Sequence, residues 1–502
     1  MKLRLLSITL LALASTAFAL DGPIGIHDPS TLIKCDGKFY TYGTGGNPLV
    51  SDDGWTWRTG SVPLVTGLAP DVIRLGDRYY MYVARNVGAQ PKAEITMISN
   101  RTLDAESPNF KWENGGVVAS TDGVEDCNGI DPGVLLDPKT GKLWLTYGSY
   151  FGYIRVVELD PATGKRVDPK SRPMDIAINC EAPIMIFHND WYYLLATHGS
   201  CCQGANSNYN IRVGRACGPA GPFLDHDGLD MMEGGGKLFL GSESRVVGAG
   251  HFGRLDLGDG VEVFSYHYEA DLDRGGVSVL AIRPLLWRDG WPVAGENAKA
   301  GSYIIESVRT GTVLELGVEG VPLTRPRGGP PGFGGPGAGA ALGAPAAGSG
   351  VPRGPGGRPR PSIGPPIPPQ DVAQVSKNWP EGNLATRMAN YLDQAQQKWA
   401  LSAVPNAGGY PGAPYFKITV AGTDRALAAT EEGELTTVPA FNGAPEQLWA
   451  VQQLTDGSYR IMPKTVPGSK TPLALSAVGS GFATLAKFDA TSDRQRWKLK
   501  GL

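Results

Sequence analysis

His27-Asp28-Pro29-Ser30-Thr31-Leu32-Ile33, followed by Gly37-Lys38-Phe39-Tyr40-Thr41-Tyr42-Gly43, decides how the rest of the chain reads. An acid stands before a short apolar strand; a turn and an aromatic strand follow. The plan returns four more times. Ala69-Pro70-Asp71-Val72-Ile73 leads to Tyr79-Tyr80-Met81-Tyr82, and Ile130-Asp131-Pro132-Gly133-Val134-Leu135-Leu136 to Leu143-Trp144-Leu145-Thr146-Tyr147. Glu181-Ala182-Pro183-Ile184-Met185-Ile186-Phe187 leads to Trp191-Tyr192-Tyr193-Leu194-Leu195, and Ala249-Gly250-His251-Phe252-Gly253 to Val263-Phe264-Ser265-Tyr266-His267.

Around these units, from Leu20 to about Glu296, short aromatic and β-branched runs alternate with Gly, Asp and Asn turns, and no helical period persists. The aromatic strands centre near Tyr40, Tyr80, Trp144, Tyr193 and Phe264, at intervals of 40, 64, 49 and 71 residues. About forty residues suffice for a four-stranded blade, so the longer intervals hold loop insertions. The chain is expected to be all-β and to open with a five-bladed β-propeller. A β-sandwich of similar strand content is the rival, but it has no reason to repeat one acid–strand–turn–aromatic unit.

The chain has 502 residues, 41% hydrophobic and 19% charged, which is room for more than one globular domain. A formal charge of −3 gives no case for nucleic acid or an anionic membrane surface. Lys2 and Arg4 precede the apolar run Leu5 to Ala14, and Ala17-Phe18-Ala19 has the small-x-small pattern of a cleavage site. The run is too short to span a bilayer. Residues 1–19 therefore read as a signal peptide and the protein as secreted, extracellular or periplasmic. Six cysteines in so long a chain make no disulfide scaffold. The pairing of the adjacent Cys201 and Cys202 is not legible from sequence.

The propeller is expected over residues 20–297 and a second domain over 298–502. Residues 321–370 are rich in Pro and Gly, with five arginines and no acid. Such a segment lacks the apolar bulk to offset ordering entropy and is expected to be disordered. It is expected to lie inside the second domain, not ahead of it. Gln-x-Trp occurs at Gln397, Gln447 and Gln495, with tryptophans 50 and 48 residues apart. Each copy needs an opening strand, and the first finds one only upstream, at Tyr303-Ile304-Ile305-Glu306 and Val313-Leu314-Glu315-Leu316. An insertion there is tolerable because loop-closure entropy grows slowly with length. The three copies resemble the ricin-type β-trefoil, a carbohydrate-binding module. In that family a sugar-binding repeat carries an acid after its early Leu; only Leu314-Glu315 keeps one here.

First strands of propeller blades line the central axis, so Asp28, Asp71, Asp131 and Glu181, with His251 or His267, are expected to meet there. A single Asp-Pro is a turn signal. Recurrence in successive units is what gives these acids weight, since crowded carboxylates repel and folding alone does not favour them. Asp28 has polar neighbours and suits an ionised base; Glu181 has apolar neighbours and suits a protonated acid. Two carboxylates on opposite sides of a sugar form the inverting glycosidase arrangement.

The residues Ile26-His27-Asp28-Pro29-Ser30, Ala69-Pro70-Asp71, Ile130-Asp131-Pro132, Tyr147-Gly148-Ser149 and Glu181-Ala182-Pro183 resemble glycoside hydrolase family 43, and most closely its endo-1,5-α-L-arabinanases. Cys201-Cys202-Gln203-Gly204, Val213-Gly214-Arg215, Gly250-His251 and Tyr266-His267 extend the resemblance. It implies Asp28 as general base, Glu181 as general acid and Asp131 as the residue that tunes and orients the acid. It further implies Asp71, Ser149 and His251 as substrate contacts, and His267 beside an ion on the axis, expected to be calcium. The implied substrate is α-1,5-linked L-arabinan or a related plant cell-wall polysaccharide. Leu68 stands where the arabinanases usually carry Trp, and Tyr150-Phe151-Gly152 departs from their pattern. Alternatives are an exo-acting α-L-arabinofuranosidase, a β-xylosidase or a galactanase of the same family, or a carbohydrate-binding propeller without turnover.

Overall fold

The computed structural model describes residues 20–88, 91–124, 126–318 and 371–502. The signal-peptide expectation for 1–19 and the disorder expectation for 321–370 lie outside the described residues. Among the described residues the only α-helix is the short Val372–Val375, and no helix is long and apolar enough to cross a membrane.

Five four-stranded antiparallel sheets follow one another in chain order, each with its strands in sequential order. Their innermost strands are Ile33–Cys35, Leu68–Leu75, Gly133–Leu136, Glu181–His188 and Val246–Gly258, opening blades I to V. The turns explain the regular hairpins. Asp36-Gly37, Asn189-Asp190, Asp259-Gly260 and Asp289-Gly290 each place two successive residues at positive φ. Such two-residue turns match the strands' twist, and Asn, Asp and Gly tolerate the conformation best. The second strands carry the aromatic bulk: Tyr40 and Tyr42, Tyr80 and Tyr82, Trp144, Tyr193 and Phe264 are all buried.

The core is distributed between blades. Separate apolar clusters fill the contacts of blades I with II, II with III, and III with IV, and a larger one joins IV, V and I. That last cluster closes the ring. Ile26 N donates to Ser278 O (3.2 Å) and Leu280 N to Ile24 O (2.9 Å), so the chain's first described residues are stitched to blade V.

The second domain is also β-structure. Strands Gly301–Ser307, Trp399–Ala403, Phe416–Val420, Trp449–Gln453, Tyr459–Pro463 and Trp497–Gly501 pair in a closed ring. Three hairpins complete it, formed by Val313–Leu316 with Leu384–Ala389, Ala426–Ala429 with Leu435–Val438, and Leu473–Val478 with Phe482–Lys487. The first hairpin has residues 319–370 between its two strands. Repeated chemistry underlies the repeated shape. The buried indoles of Trp399, Trp449 and Trp497 donate to Leu314 O, Leu427 O and Leu475 O at 2.8, 3.1 and 3.0 Å. Gln397, Gln447 and Gln495 each accept a backbone N–H of the preceding loop, from Leu392, Asn442 and Asp489. The domain docks on blades I and V: Gly409 N donates to the Asp53 carboxylate at Oδ2 (2.8 Å) and Trp287 N to Thr455 O (2.9 Å).

Candidate active site

At the start of every blade one non-glycine residue has left-handed backbone: Asp28 (φ 50°), Ala69 (45°), Asp131 (54°), Ala182 (51°) and His251 (61°). In the first four, proline follows. A residue with a β-carbon is disfavoured at positive φ, at a cost on the order of 1–3 kcal/mol, and strain of this kind gathers at functional sites. The equivalence also corrects the register. Asp28, Asp71, Asp131 and Glu181 were expected at one point of the unit, but the equivalent residues are Asp28, Ala69, Asp131, Ala182 and His251. Asp71 lies two residues after its blade's strained position and Glu181 one before, so the acids approach the axis from different points and meet different surroundings.

Asp28 is held from both sides. Its Oδ2 accepts from Thr44 Oγ1 (2.6 Å) and faces His27 Nδ1 (2.8 Å), while Oδ1 faces His251 Nδ1 (3.3 Å). Burial alone favours the neutral acid, but the hydrogen bonds and charges of His251 and His27 outweigh it and hold Asp28 well below the usual carboxylate range.

Glu181 is in the opposite situation. Its partners are two hydroxyls: Ser149 Oγ donates to Oε2 (3.1 Å) and Tyr209 O–H donates to Oε1. Burial, and then the nearby charge of Asp131, push it well above an ordinary glutamate. Asp131 is also raised, chiefly by burial, against the pull of His251. Its Oδ2 accepts Ala182 N–H (3.2 Å), so Asp131 grips the peptide unit joining Glu181 to Ala182.

Asp71 was expected to touch substrate. It is 2% exposed, and its two oxygens accept Thr31 N–H (3.0 Å) and Val134 N–H (2.9 Å), one from blade I and one from blade III. Ser149 and His251, also expected as substrate contacts, are buried against Glu181 and Asp28. His267 does reach the axis. Its Nδ1 accepts Asp28 N–H (3.2 Å) and its Nε2 lies 3.0 Å from Glu269 Oε1.

Glu269, Thr44 and Tyr209 are site residues that the sequence reading did not assign. For Glu269 a signal existed. Strand Val261–Asp271 is buried along its whole length, and His267 and Glu269, two apart, share one of its faces. A buried charged pair in that pattern marks a site. Cys201 and Cys202 are bonded to each other, and Cys202 N donates to Glu269 Oε2 (2.6 Å).

Among the described residues, His27, His267 and Glu269 are grouped closely enough to hold an ion. They offer two imidazole nitrogens and one carboxylate oxygen. Calcium takes six to eight oxygen ligands, and the remaining oxygen of Glu269 is already engaged by Cys202 N–H. The donor set does not fit calcium.

Residues 38–292 match the family described as Glycosyl hydrolases family 43. The chain is 31% identical over 273 residues to the extracellular exo-alpha-(1->5)-L-arabinofuranosidase ArbA of Cellvibrio japonicus (strain Ueda107), covering 51% of this chain and 77% of that protein. It is 29% identical over 292 residues to the extracellular endo-alpha-(1->5)-L-arabinanase 1 of Bacillus subtilis (strain 168), covering 53% and 87%. Among solved structures, an exo-1,5-alpha-L-arabinanase from a bovine ruminal metagenomic library superposes with a TM-score of 0.51 at 33% identity, covering 56% of this chain and all of that one.

Proposed function

The chain belongs to glycosyl hydrolase family 43, and from that premise we propose that it hydrolyses α-1,5-linked L-arabinan with inversion at the anomeric carbon. The observation that carries the reading is the contrast between Asp28 and Glu181. One carboxylate is surrounded by donors that keep it ionised; the other is buried among hydroxyls beside a second acid and keeps its proton.

Asp28 takes a proton from water as that water attacks the anomeric carbon. Glu181 gives its proton to the glycosidic oxygen as the carbon–oxygen bond breaks. The products are a new reducing end of inverted configuration and an alcohol. A second substrate molecule finds the enzyme ready once Asp28 has lost its proton and Glu181 has regained one. Asp131 orients Glu181 through the Ala182 peptide, and its proximity keeps the Glu181 proton in place. Ser149 and His251 hold the two carboxylates, and Asp71 ties blades I and III beneath them. Tyr150 and Phe151, 38% and 55% exposed beside Ser149, supply aromatic faces for sugar rings in place of the absent Trp.

Exo action is the second reading, favoured by the names of ArbA and of the ruminal structure. We further propose that the protein is exported, as the extracellular relatives are named, and that residues 298–502 form a β-trefoil. Its Glu315 accepts from Arg387 Nε (2.6 Å) and Gln397 Nε2 (2.7 Å) and is 2% exposed, so it serves the domain's interior and not a sugar. Sizing the early products from linear arabinan tests the reading. Mid-sized oligosaccharides indicate endo action, arabinose alone exo action, and an untouched polymer overturns the assignment.

A further inference from the structure

We propose that Glu269 is a positioning residue for Asp28, and that Glu269 with a cationic His27 fills, with the protein's own groups, the place on the axis expected to hold calcium. The positioning role rests on reading Asp28 as the base; the filling of the axis does not.

The hydrogen bonds fix where the imidazole protons sit. Asp28 N–H donates to His267 Nδ1 (3.2 Å), so that nitrogen presents its lone pair. A neutral imidazole then carries its proton on Nε2, which points at Glu269 Oε1 (3.0 Å). In this tautomer Nε2 has no lone pair to give a metal. His27 faces an acceptor oxygen at each ring nitrogen: Asp28 Oδ2 at Nδ1 and Glu269 Oε1 at Nε2, both 2.8 Å. Each contact needs a proton, so His27 is an imidazolium held between two carboxylates.

The contacts form a closed circuit. It runs from the Asp28 carboxylate to His27, to Glu269, to His267 and back to the Asp28 backbone. Glu269 thus reaches Asp28 by two arms, one fixing the carboxylate and one fixing the N–H of a residue in strained backbone. The Glu269 side chain, 2% exposed, is itself fully engaged, with Cys202 N–H on its other oxygen. An unpaired buried carboxylate is strongly unfavourable; three donors, one of them the cationic His27, remove that objection without an ion.

Four measurements on the full-length protein test this. After dialysis against a chelator, elemental analysis should find no stoichiometric metal, and added calcium should leave the melting temperature unchanged. Long-range proton–nitrogen NMR of the imidazoles should show both His27 nitrogens protonated and His267 as the neutral Nε2–H form. A retained stoichiometric ion, or an unprotonated His267 Nε2, overturns the proposal, and neither result depends on any substrate. Glu269→Gln should lower kcat on arabinan by about tenfold or more with KM little changed, as loss of an orienting partner does. An unchanged kcat overturns the positioning role.

Discussion

In the proposed roles of base and acid, Asp28 and Glu181 need opposite protonation states, which sets the pH dependence. The base works only when ionised, above its pKa; the acid works only when protonated, below its pKa. With Asp28 held low by His251 and His27 against burial, the acidic limb of kcat/KM should lie below the ordinary aspartate range. With Glu181 raised by burial and Asp131, the basic limb should lie well above the ordinary glutamate range. A rate profile falling between ordinary carboxylate values would contradict both assignments. Glu181→Gln should lower kcat by about 10²–10⁴-fold. The same change should raise the melting temperature at about pH 8, because a carboxyl whose folded pKa is raised makes stability fall as pH rises from the unfolded toward the folded value. Phe151→Ala, at an exposed ring beside the site, should raise KM and spare kcat. The contrast between the two acids was legible from their neighbours: His27 and Ser30 around Asp28, Ile176 to Ile178 and Ala182 to Ile186 around Glu181. Glu269 carried a local signal in its spacing from His267, but its link to Asp28 was not legible, because that depends on His27, which lies 242 residues away and meets it only when blade V closes on the N-terminal segment.

At the scale of elements, the repeated unit showed the blades but concealed their register. Lining up the acids put Asp71 and Glu181 at the wrong point. Lining up Pro29, Pro70, Pro132 and Pro183 recovers the strained residue before each one. Position in that register decides what an acid does. Asp71, two residues further on, holds two backbone N–H groups of other blades. Asp71→Ala should leave Thr31 and Val134 N–H unpaired and destabilise the propeller by about 2–6 kcal/mol, at about 1–3 kcal/mol for each buried unpaired group. Thermal melting checks this, and the surviving folded protein should keep its substrate specificity. Ala69→Gly should be neutral or stabilising in the same assay, since glycine adopts positive φ without strain.

The whole molecule joins a ring closed on its own N-terminal segment to a second domain built from three similar units. Gln-x-Trp spacing made those units readable, because each indole and each glutamine amide closes a local loop. The docking of the domains was not readable, since it runs through backbone groups such as Gly409 N and Thr455 O that carry no side-chain signature. Val313–Leu316 pairs with Leu384–Ala389 across residues 319–370. Replacing that segment by a short Gly/Ser bridge should therefore leave the melting temperature and arabinan cleavage unchanged, as closure entropy varies only slowly with length. Inversion at the anomeric carbon is tested most directly by the stereochemistry of the first products. Proton NMR of the first products released from linear α-1,5-arabinan should show the β-anomer at the new reducing ends, relaxing later to the equilibrium mixture. The α-anomer appearing first would contradict it, because Asp28 would then not be activating water on the far side of the sugar.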